Sequence, residues 1–182
     1  PGVWEHVSMV WSALQDARTN SKDLATVWLD IANAYGTIPH QLIFFALERY
    51  GVPPHFIKLI RKYYDGLWSK CFSESSPSSW HQHLRGIFAG CTVSIALFIA
   101  GMNIAIKFVN NCSVECVIVE NMQLPRLRAF MDDINLMSRS VRDTIILLDR
   151  CCTVLTWARM EFKASKSRYV AIKSGRTVCP AI

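Results

Sequence analysis

Apolar positions along the first seventeen residues recur at helical spacing, Trp4, Val7, Trp11 and Leu14, and predict a helix running to about Ala17. Residues 19–23 are polar and turn-like. Residues 24–31 are apolar and β-branched enough for a buried strand, with Asp30 near its end. Thr37 stands where it can cap a helix entered through Pro39, with Leu42, Phe45 and Ala46 on one face and Gly51 as its stop. A second helix follows from Pro53 and Pro54, carries Phe56, Ile60, Tyr63 and Tyr64, and ends at Asp65 and Gly66. Residues 68–72 and 80–84 flank the polar segment 73–78 and predict a two-stranded hairpin. A glycine-bounded turn at 86–90 then leads into an apolar helix from about Val93.

Residues 114–119 form a candidate strand, and residues 127–131 and 134–137 predict two short strands around Asp132 and Asp133. Ser140 and Asp143 make an acidic variant of the capping box. The helix after them carries an apolar stripe of Val141, Ile145, Leu148, Cys152 and Leu155. Residues 169–172 make a last strand. This order predicts an α+β chain, a mainly antiparallel sheet with helices packed on one face, organised as a single domain over residues 1–182.

Composition narrows the class. Hydrophobic residues make up 51% and charged residues 19%, which excludes a disordered chain and a coiled coil. The apolar run 93–106 is shorter than the roughly 18 residues of a membrane span and predicts a buried helix. No signal peptide opens the chain, so an intracellular protein with no membrane partner is expected. Pro1 in place of Met points to a piece of a longer polyprotein. The seven cysteines are an odd, scattered set, expected to be reduced. Cys112 and Cys116 lack a second pair for zinc, and His81 and His83 lack a third ligand. The net charge of +6 is unevenly placed. Residues 1–125 hold nine basic and nine acidic side chains, whereas residues 126–182 hold eleven and five, a basic face suited to a phosphate backbone.

The chemistry is carried by acids in apolar surroundings. Asp132 and Asp133 follow Phe130-Met131 inside an apolar stretch, where a carboxylate is costly unless paired or bound to a cation. A lone Asp-Asp pair is usually a solvated turn. Asp30, at the end of an apolar strand, is harder to explain as surface. Two carboxylate sources meeting at strand ends offer hard oxygen ligands to Mg²⁺, and two such ions about 4 Å apart can activate a 3′-hydroxyl and stabilise a leaving pyrophosphate.

At this point the chain resembles the reverse transcriptases, particularly those of non-long-terminal-repeat retrotransposons. The stretch from Leu29-Asp30-Ile31 through Tyr35-Gly36-Thr37 to His40 resembles the family's first palm motif, and Gly86 through Gly90 and Ser94 to Phe98 its second. Phe130-Met131-Asp132-Asp133 is similar to its aromatic-x-Asp-Asp signature, and Trp157 through Lys166-Ser167 to the motif after it. The resemblance implies a polymerase palm, with fingers and thumb largely absent, that adds deoxynucleotides to a DNA primer on an RNA template. Two Mg²⁺ ions, for which Mn²⁺ can substitute, would be the cofactors. Asp30 and Asp132 would bind both metals, with Asp133 a supporting acid. Tyr35 would lie under the incoming sugar, Gly90 and Ser94 would shape the floor beneath the nucleotide, and Lys166 would sit near the triphosphate. Arg126, Arg128 and Lys163, with Lys166, would help hold nucleic acid.

Each role has a plainer counterpart: core packing for Tyr35, a helix cap for Ser94, a solvated lysine for Lys166. Trp68, Trp80 and Trp157 are expected in the core rather than as base-stacking platforms. Ala89 stands where the family usually has Gln, Ile95 where it usually has Pro, and Gly36 where many relatives carry a second acid. These departures define the alternative function, a catalytically inactive nucleic-acid-binding relic.

Overall fold

The computed structural model describes residues 2–72 and 76–178. In chain order the elements are α1 (Val3–Thr19), β1 (Leu24–Asp30), α2 (Ala34–Thr37), α3 (His40–Arg49), α4 (Pro54–Asp65), β2 (Trp68–Ser69), β3 (His81–Gln82) and α5 (Thr92–Asn110). They continue with β4 (Val117–Val119), β5 (Met122–Leu124), β6 (Leu127–Phe130), β7 (Asp133–Ser138), α6 (Val141–Trp157), a 3₁₀ turn at Ala164–Lys166, β8 (Arg168–Lys173) and β9 (Arg176–Val178). The chain forms two compact units, residues 1–32 with 105–182, and residues 33–104.

The first unit is built on a five-stranded antiparallel sheet in the order β6-β7-β1-β8-β9, with β1 at its centre. On one face α6 is fastened through Thr144, whose hydroxyl meets Ser138 Oγ at 2.6 Å and the Ala25 carbonyl at 3.5 Å. The opposite face carries α1 and the β4–β5 hairpin. There Ala13, Ala17, Leu24, Val117, Val119, Leu124, Met137 and Ile172 form a buried cluster. The end of α5 is fixed to β6 by Asn110, whose amide donates to the Leu127 carbonyl and accepts from its N–H, mimicking a strand partner.

The second unit is mainly helical. Its interior is drawn from Ile38, Leu42, Ile43, Ala46, Ile57, Ile60, Tyr64, Leu97, Phe98 and Met102. Gly86 and Ile87 run across α2, donating to the carbonyls of Ile38 (2.8 Å) and Tyr35 (2.7 Å), and His40 Nε2 meets the Gly86 carbonyl at 2.7 Å. The crossing is so close that a Cβ on Gly86 would stand 2.6 Å from the Gly36 carbonyl oxygen, and Gly86 has φ +82°. Both facts require glycine there.

The antiparallel α+β architecture is as expected; four helix faces and several boundaries differ. On α1 the buried residues are Ala13 and Ala17, small enough for close approach, while Trp4 is 82% exposed and Val7 and Trp11 are exposed with it. On α3 and α4 the expected Leu42, Ala46, Ile60 and Tyr64 are buried, but Phe45, Phe56 and Tyr63 are outward, and Ile43 and Ile57 join the inward side. The α6 stripe is shifted by about one residue, to Thr144, Leu147, Cys151, Val154 and Leu155. Thr144 is polar, so an apolar count misses the buried face it belongs to.

Thr37 closes α2, bonding back to the Asn33 carbonyl at 3.0 Å, and α3 instead starts at Pro39 with no side-chain cap. Ser140 does cap α6, accepting from the Asp143 N–H at 3.1 Å, and its hydroxyl donates to the Asp143 carboxylate at 2.8 Å. The β2–β3 ladder is only two residues long on each side, and Ser73, Glu74 and Ser75 of its polar loop lie outside the described residues, as does Cys179. The strand foreseen at 114–119 shrinks to Val117–Val119. It gains a partner through a turn whose central residues, Glu120 and Asn121, both have positive φ, the geometry a tight hairpin needs. A second such turn, at Ser174 and Gly175, adds β9, which the pattern gave no sign of.

Trp68, Trp80 and Trp157 are 51%, 64% and 64% exposed, so none of the three is a core residue. The helix α5, at 19 residues, outruns its apolar stretch. Among the described residues it alone is long and apolar enough to cross a membrane by length and composition. Leu97, Phe98, Met102, Ala105 and Val109 on it are buried in the protein.

Candidate active site

Strand register assembles the acids. In β1–β7 pairing Asp30 stands directly opposite Asp133, and in β6–β7 pairing Phe130 stands opposite the same Asp133. Directly opposed residues of antiparallel strands project to one face, so Phe130, Asp133 and Asp30 form a row across three strands. Met131 and Asp132 make the intervening two-residue turn, with Met131 at φ 56° taking the left-handed conformation that a tight turn needs. The register therefore pairs Asp30 with Asp133 rather than with Asp132, which occupies the turn beside them.

The cationic partner arrives from the segment after α6. It is strapped along the end of β1 by hydrogen bonds from Ala32 N to the Glu161 carbonyl and from Lys163 N to the Asp30 carbonyl, each 2.8 Å, and by the Ile31–Phe162 bridge. This strap brings Lys166 Nζ to 3.3 Å from Asp30 Oδ2. Burial pushes the Asp133 carboxyl above its ordinary pKa, the charges of Asp132 and Asp30 push it further, and Lys166 opposes them. Among the described residues Lys166 is the one cation within ion-pair range of these acids and it reaches Asp30, so Asp132 and Asp133 have no such partner.

That imbalance is the fit expected of a divalent cation site. Mg²⁺ is commonly held by one or two carboxylates, with water and substrate phosphates filling the other positions. Among the described residues no three His, Cys, Asp or Glu side chains converge into a self-sufficient metal cage. Asp30 and Asp133, one shared face and a nearby Asp132, suit a metal that arrives with its substrate.

A second row on the same face lies two residues along the strands from the first. Arg128 pairs with Asn135, Asn135 with Trp28, and Trp28 with Arg168. Asn135 holds the row together, accepting from Arg128 Nη2 at 3.0 Å and donating to Thr26 Oγ1 at 2.8 Å and the Val27 carbonyl at 3.2 Å. Arg128 is 6% exposed, and burial lowers its affinity for its proton. Over this face, α1 brings His6 edge-on to Phe130, with ring centroids 6.3 Å apart. Burial first, then Arg128, hold the His6 imidazole below its ordinary pKa. A cavity of about 820 Å³ separates the helix from the sheet, lined by Val7, Trp11, Trp28, Asp30, Phe130 and Asp133 among others.

The remaining expected residues fall into distinct settings. Arg126 is turned inward, its guanidinium donating to the carbonyls of Val114 and Asn110, whereas Lys163 is exposed. In the second unit, Tyr35 stacks on Phe98 with ring centroids 4.8 Å apart and planes 7° from parallel. Ser94 is 1% exposed in the first turn of α5, its hydroxyl near the Tyr64 phenol but in hydrogen-bonding geometry with no partner among the described residues. Gly90 sits exposed in the turn before α5 at φ +88°, with open space where a Cβ would stand. A Cβ at Gly36 would fall 2.4 Å from the Asn33 amide, so the acid many relatives carry there would require Asn33 to move. Asn135, Trp28, Arg168 and His6 were not foreseen. A polar Asn at an alternate position of an otherwise apolar strand was the available signal.

Residues 2–177 match the family model described as reverse transcriptase (RNA-dependent DNA polymerase). The Retrovirus-related Pol polyprotein from type-2 retrotransposable element R2DM of Drosophila melanogaster is 22% identical over 172 residues, 94% of this chain and 16% of its own length. The chain thus spans about a sixth of that relative. Among solved structures, apo telomerase from Candida Tropicalis truncated from its C-terminal domain superposes with a TM-score of 0.65 at 10% identity, over 93% of this chain and 35% of its own. Candida Tropicalis telomerase in complex with a fragment of telomeric RNA gives 0.63 at 9% identity, over 94% and 29%. At these identities the telomerases speak for the fold.

Proposed function

The chain belongs to the reverse transcriptase (RNA-dependent DNA polymerase) family, and from that premise we propose that it is the palm of an RNA-directed DNA polymerase, one domain of a longer polyprotein. The partners in this reading are an RNA template, a DNA primer and deoxynucleoside triphosphates, in an intracellular setting. The observation that carries it is the register: Asp30 opposite Asp133, Asp132 in the adjoining turn, and Lys166 on Asp30.

Divalent cations, Mg²⁺ in this proposal, supply Lewis-acid activation of a 3′-hydroxyl and charge neutralisation on the leaving pyrophosphate when bound. Asp30, Asp132 and Asp133 would hold them, with Asp133 sharing the face of Asp30. Lys166 offsets negative charge on the triphosphate side once substrate draws it from Asp30. Tyr35, flat against Phe98, presents a rigid ring that leaves space for a 2′-hydrogen and excludes a 2′-hydroxyl. Gly90 allows the backbone a close approach to the nucleotide, and with Ser94 it shapes the floor beneath it.

One observation favours a second reading, an inactive nucleic-acid-binding relic: Ala89 lies exposed before Gly90, so packing does not explain why the amide usual in the family is missing. Primer extension by the full-length parent on an RNA template, with and without Mg²⁺, separates the two. Metal-dependent extension supports the polymerase, and its absence beside retained binding supports the relic. In an active parent, Tyr35→Ala is expected to raise the ratio of ribonucleotide to deoxynucleotide kcat/KM. An unchanged ratio would leave Tyr35 as a packing residue of the second unit.

A further inference from the structure

Where Gly86 and Ile87 cross α2, three hydrogen bonds hold them, and only one of the three uses a side chain. Gly86 N donates to the Ile38 carbonyl at 2.8 Å and Ile87 N to the Tyr35 carbonyl at 2.7 Å, both backbone to backbone. The third joins His40 Nε2 to the Gly86 carbonyl at 2.7 Å. A carbonyl can only accept, so Nε2 carries the proton and donates. The imidazole is 7% exposed and lies on the Tyr64 ring, with centroids 4.4 Å apart and planes 33° from parallel. Phenylalanine would fill such an aromatic setting equally well. What histidine adds is the bond to Gly86.

The residues on either side of this crossing are those that would receive a nucleotide. Tyr35 is tied twice to the chain beyond Gly86. Its carbonyl is held by Ile87 N, and its ring lies on Phe98, four residues after Ser94 on the same face of α5. Between Ile87 and α5 the chain is held more loosely. Phe88 meets the His83 ring with centroids 4.7 Å apart, but Ala89 and Gly90 are exposed, and a Cβ on Gly90 would have nothing within 4 Å. The turn bond from Cys91 N to the Phe88 carbonyl is long, at 3.4 Å. The course of this loop is therefore set where it leaves the crossing, at Gly86 and Ile87.

We propose that His40 is a positioning residue for the incoming nucleotide: by donating to the Gly86 carbonyl it fixes the floor at Gly90 and Ser94 relative to the Tyr35 ring, and so tightens both nucleotide binding and the choice of sugar. It acts through Gly86 and Ile87 and touches neither substrate nor metal. A steric choice between a hydrogen and a hydroxyl depends on how closely ring and floor are spaced, and a misplacement of about 1 Å in a reacting geometry can cost on the order of a hundredfold. The inference rests on the polymerase reading and on Tyr35 as the gate.

Two substitutions separate the donor from the ring. His40→Phe keeps a ring against Tyr64 and removes the donor, whereas His40→Gln offers an amide N–H at nearly the same reach. In the full-length parent, H40F is expected to raise KM for deoxynucleotides about tenfold, to change kcat less than about threefold, and to raise the ribonucleotide to deoxynucleotide ratio of kcat/KM about fivefold. H40Q should bring KM and that ratio back to within about threefold of native. In this chain, hydrogen exchange reads the same bond without turnover: the Gly86 and Ile87 amides should exchange about tenfold faster in H40F and at the native rate in H40Q, with those of β1 unchanged in both. Should H40F not fold, H40N, whose shorter amide cannot reach Gly86, takes its place with the same expectations. Loss confined to kcat or to the melting temperature, with KM and the sugar ratio unmoved, would leave His40 as a packing residue. Equal behaviour of H40Q and H40F would show that the donor is irrelevant. A native parent that extends no primer fails the polymerase reading and this role with it, whereas an active parent whose KM and ratio do not respond fails this role alone.

Discussion

The two units place functional side chains by different physics. In the first, Asp30 and Asp133 are fixed by hydrogen-bonded register, so their relation depends on backbone pairing over six consecutive residue pairs. In the second, Tyr35 and Ser94 are placed by packing, through a ring stacked on Phe98 and a hydroxyl buried near Tyr64. Its closest backbone approach hangs on single glycines. Register tolerates changes of side chain but not of phase. Packing tolerates side chains of similar volume but not an added carbon at a crossing point.

The sharpest way to break this contrast is at Asp30. In an active full-length parent, Asp30→Asn should lower primer extension by at least about two to three orders of magnitude, since metal-assisted charge stabilisation is worth several kcal/mol. The fold should survive, because register does not depend on that carboxylate. Extension rates beside a circular dichroism melt read both, and a variant that loses structure along with activity would show that the acid row is structural.

Next comes Gly86→Ala, which adds a Cβ 2.6 Å from the Gly36 carbonyl oxygen at a positive φ. It should cost about 3 kcal/mol or more in denaturant unfolding, because backbone cannot yield as a side-chain tip can. Gly90→Ala, at a similar φ but with nothing within 4 Å, should cost about 1–2 kcal/mol, the conformational term alone. Equal costs would mean that the crossing of backbones adds no constraint.

A smaller effect of opposite sign is expected at Asp133. Its pKa is raised in the fold, so the folded chain binds the proton more tightly and stability falls as pH rises above the ordinary carboxylate value of 3.8. Asp133→Asn should therefore melt slightly higher than the native chain near pH 7, by about 1–3 °C, and lose part of that pH slope. Millimolar Mg²⁺ should raise the melting temperature of the native chain more than that of the variant. A variant that melts lower would show that the acids are not in net repulsion.

The smallest effect is chemical. Burial pushes the Cys151 thiol up to about 12, so it should resist alkylation at pH 8 while the exposed Cys71 reacts. Mass spectrometry after brief iodoacetamide treatment reads this directly.

The same contrast explains what the sequence made legible. Strands β1, β6, β7 and β8 were visible because alternating or continuous apolar runs mark them, and the acids stood out against those runs. The faces of α1 and α6 were misread, and those of α3 and α4 only partly read, because large apolar residues occur all round them, and the buried side is chosen by small or hydrogen-bonding residues such as Ala13, Ala17 and Thr144. The turns at Glu120-Asn121 and Ser174-Gly175 were missed because one residue in each adopts a positive φ that its type does not advertise. The second cationic row was hidden for another reason. Arg128, Asn135, Trp28 and Arg168 are far apart in sequence, and only pairing across β6, β7, β1 and β8 makes them neighbours.

Parity follows from the way β7 meets β1. Because successive residues of a strand face opposite sides, inserting or deleting one residue within 24–30 would carry Leu29 or Ile31 into the place of Asp30 and turn the carboxylate toward α6. Two residues gained or lost would restore the face and merely slide Asp30 past its partner. Lineages of this chain should thus show even length changes in that stretch, or none, whereas in the helical segments after Asn33 one residue gained or lost rotates the following face by about 100° instead of inverting it.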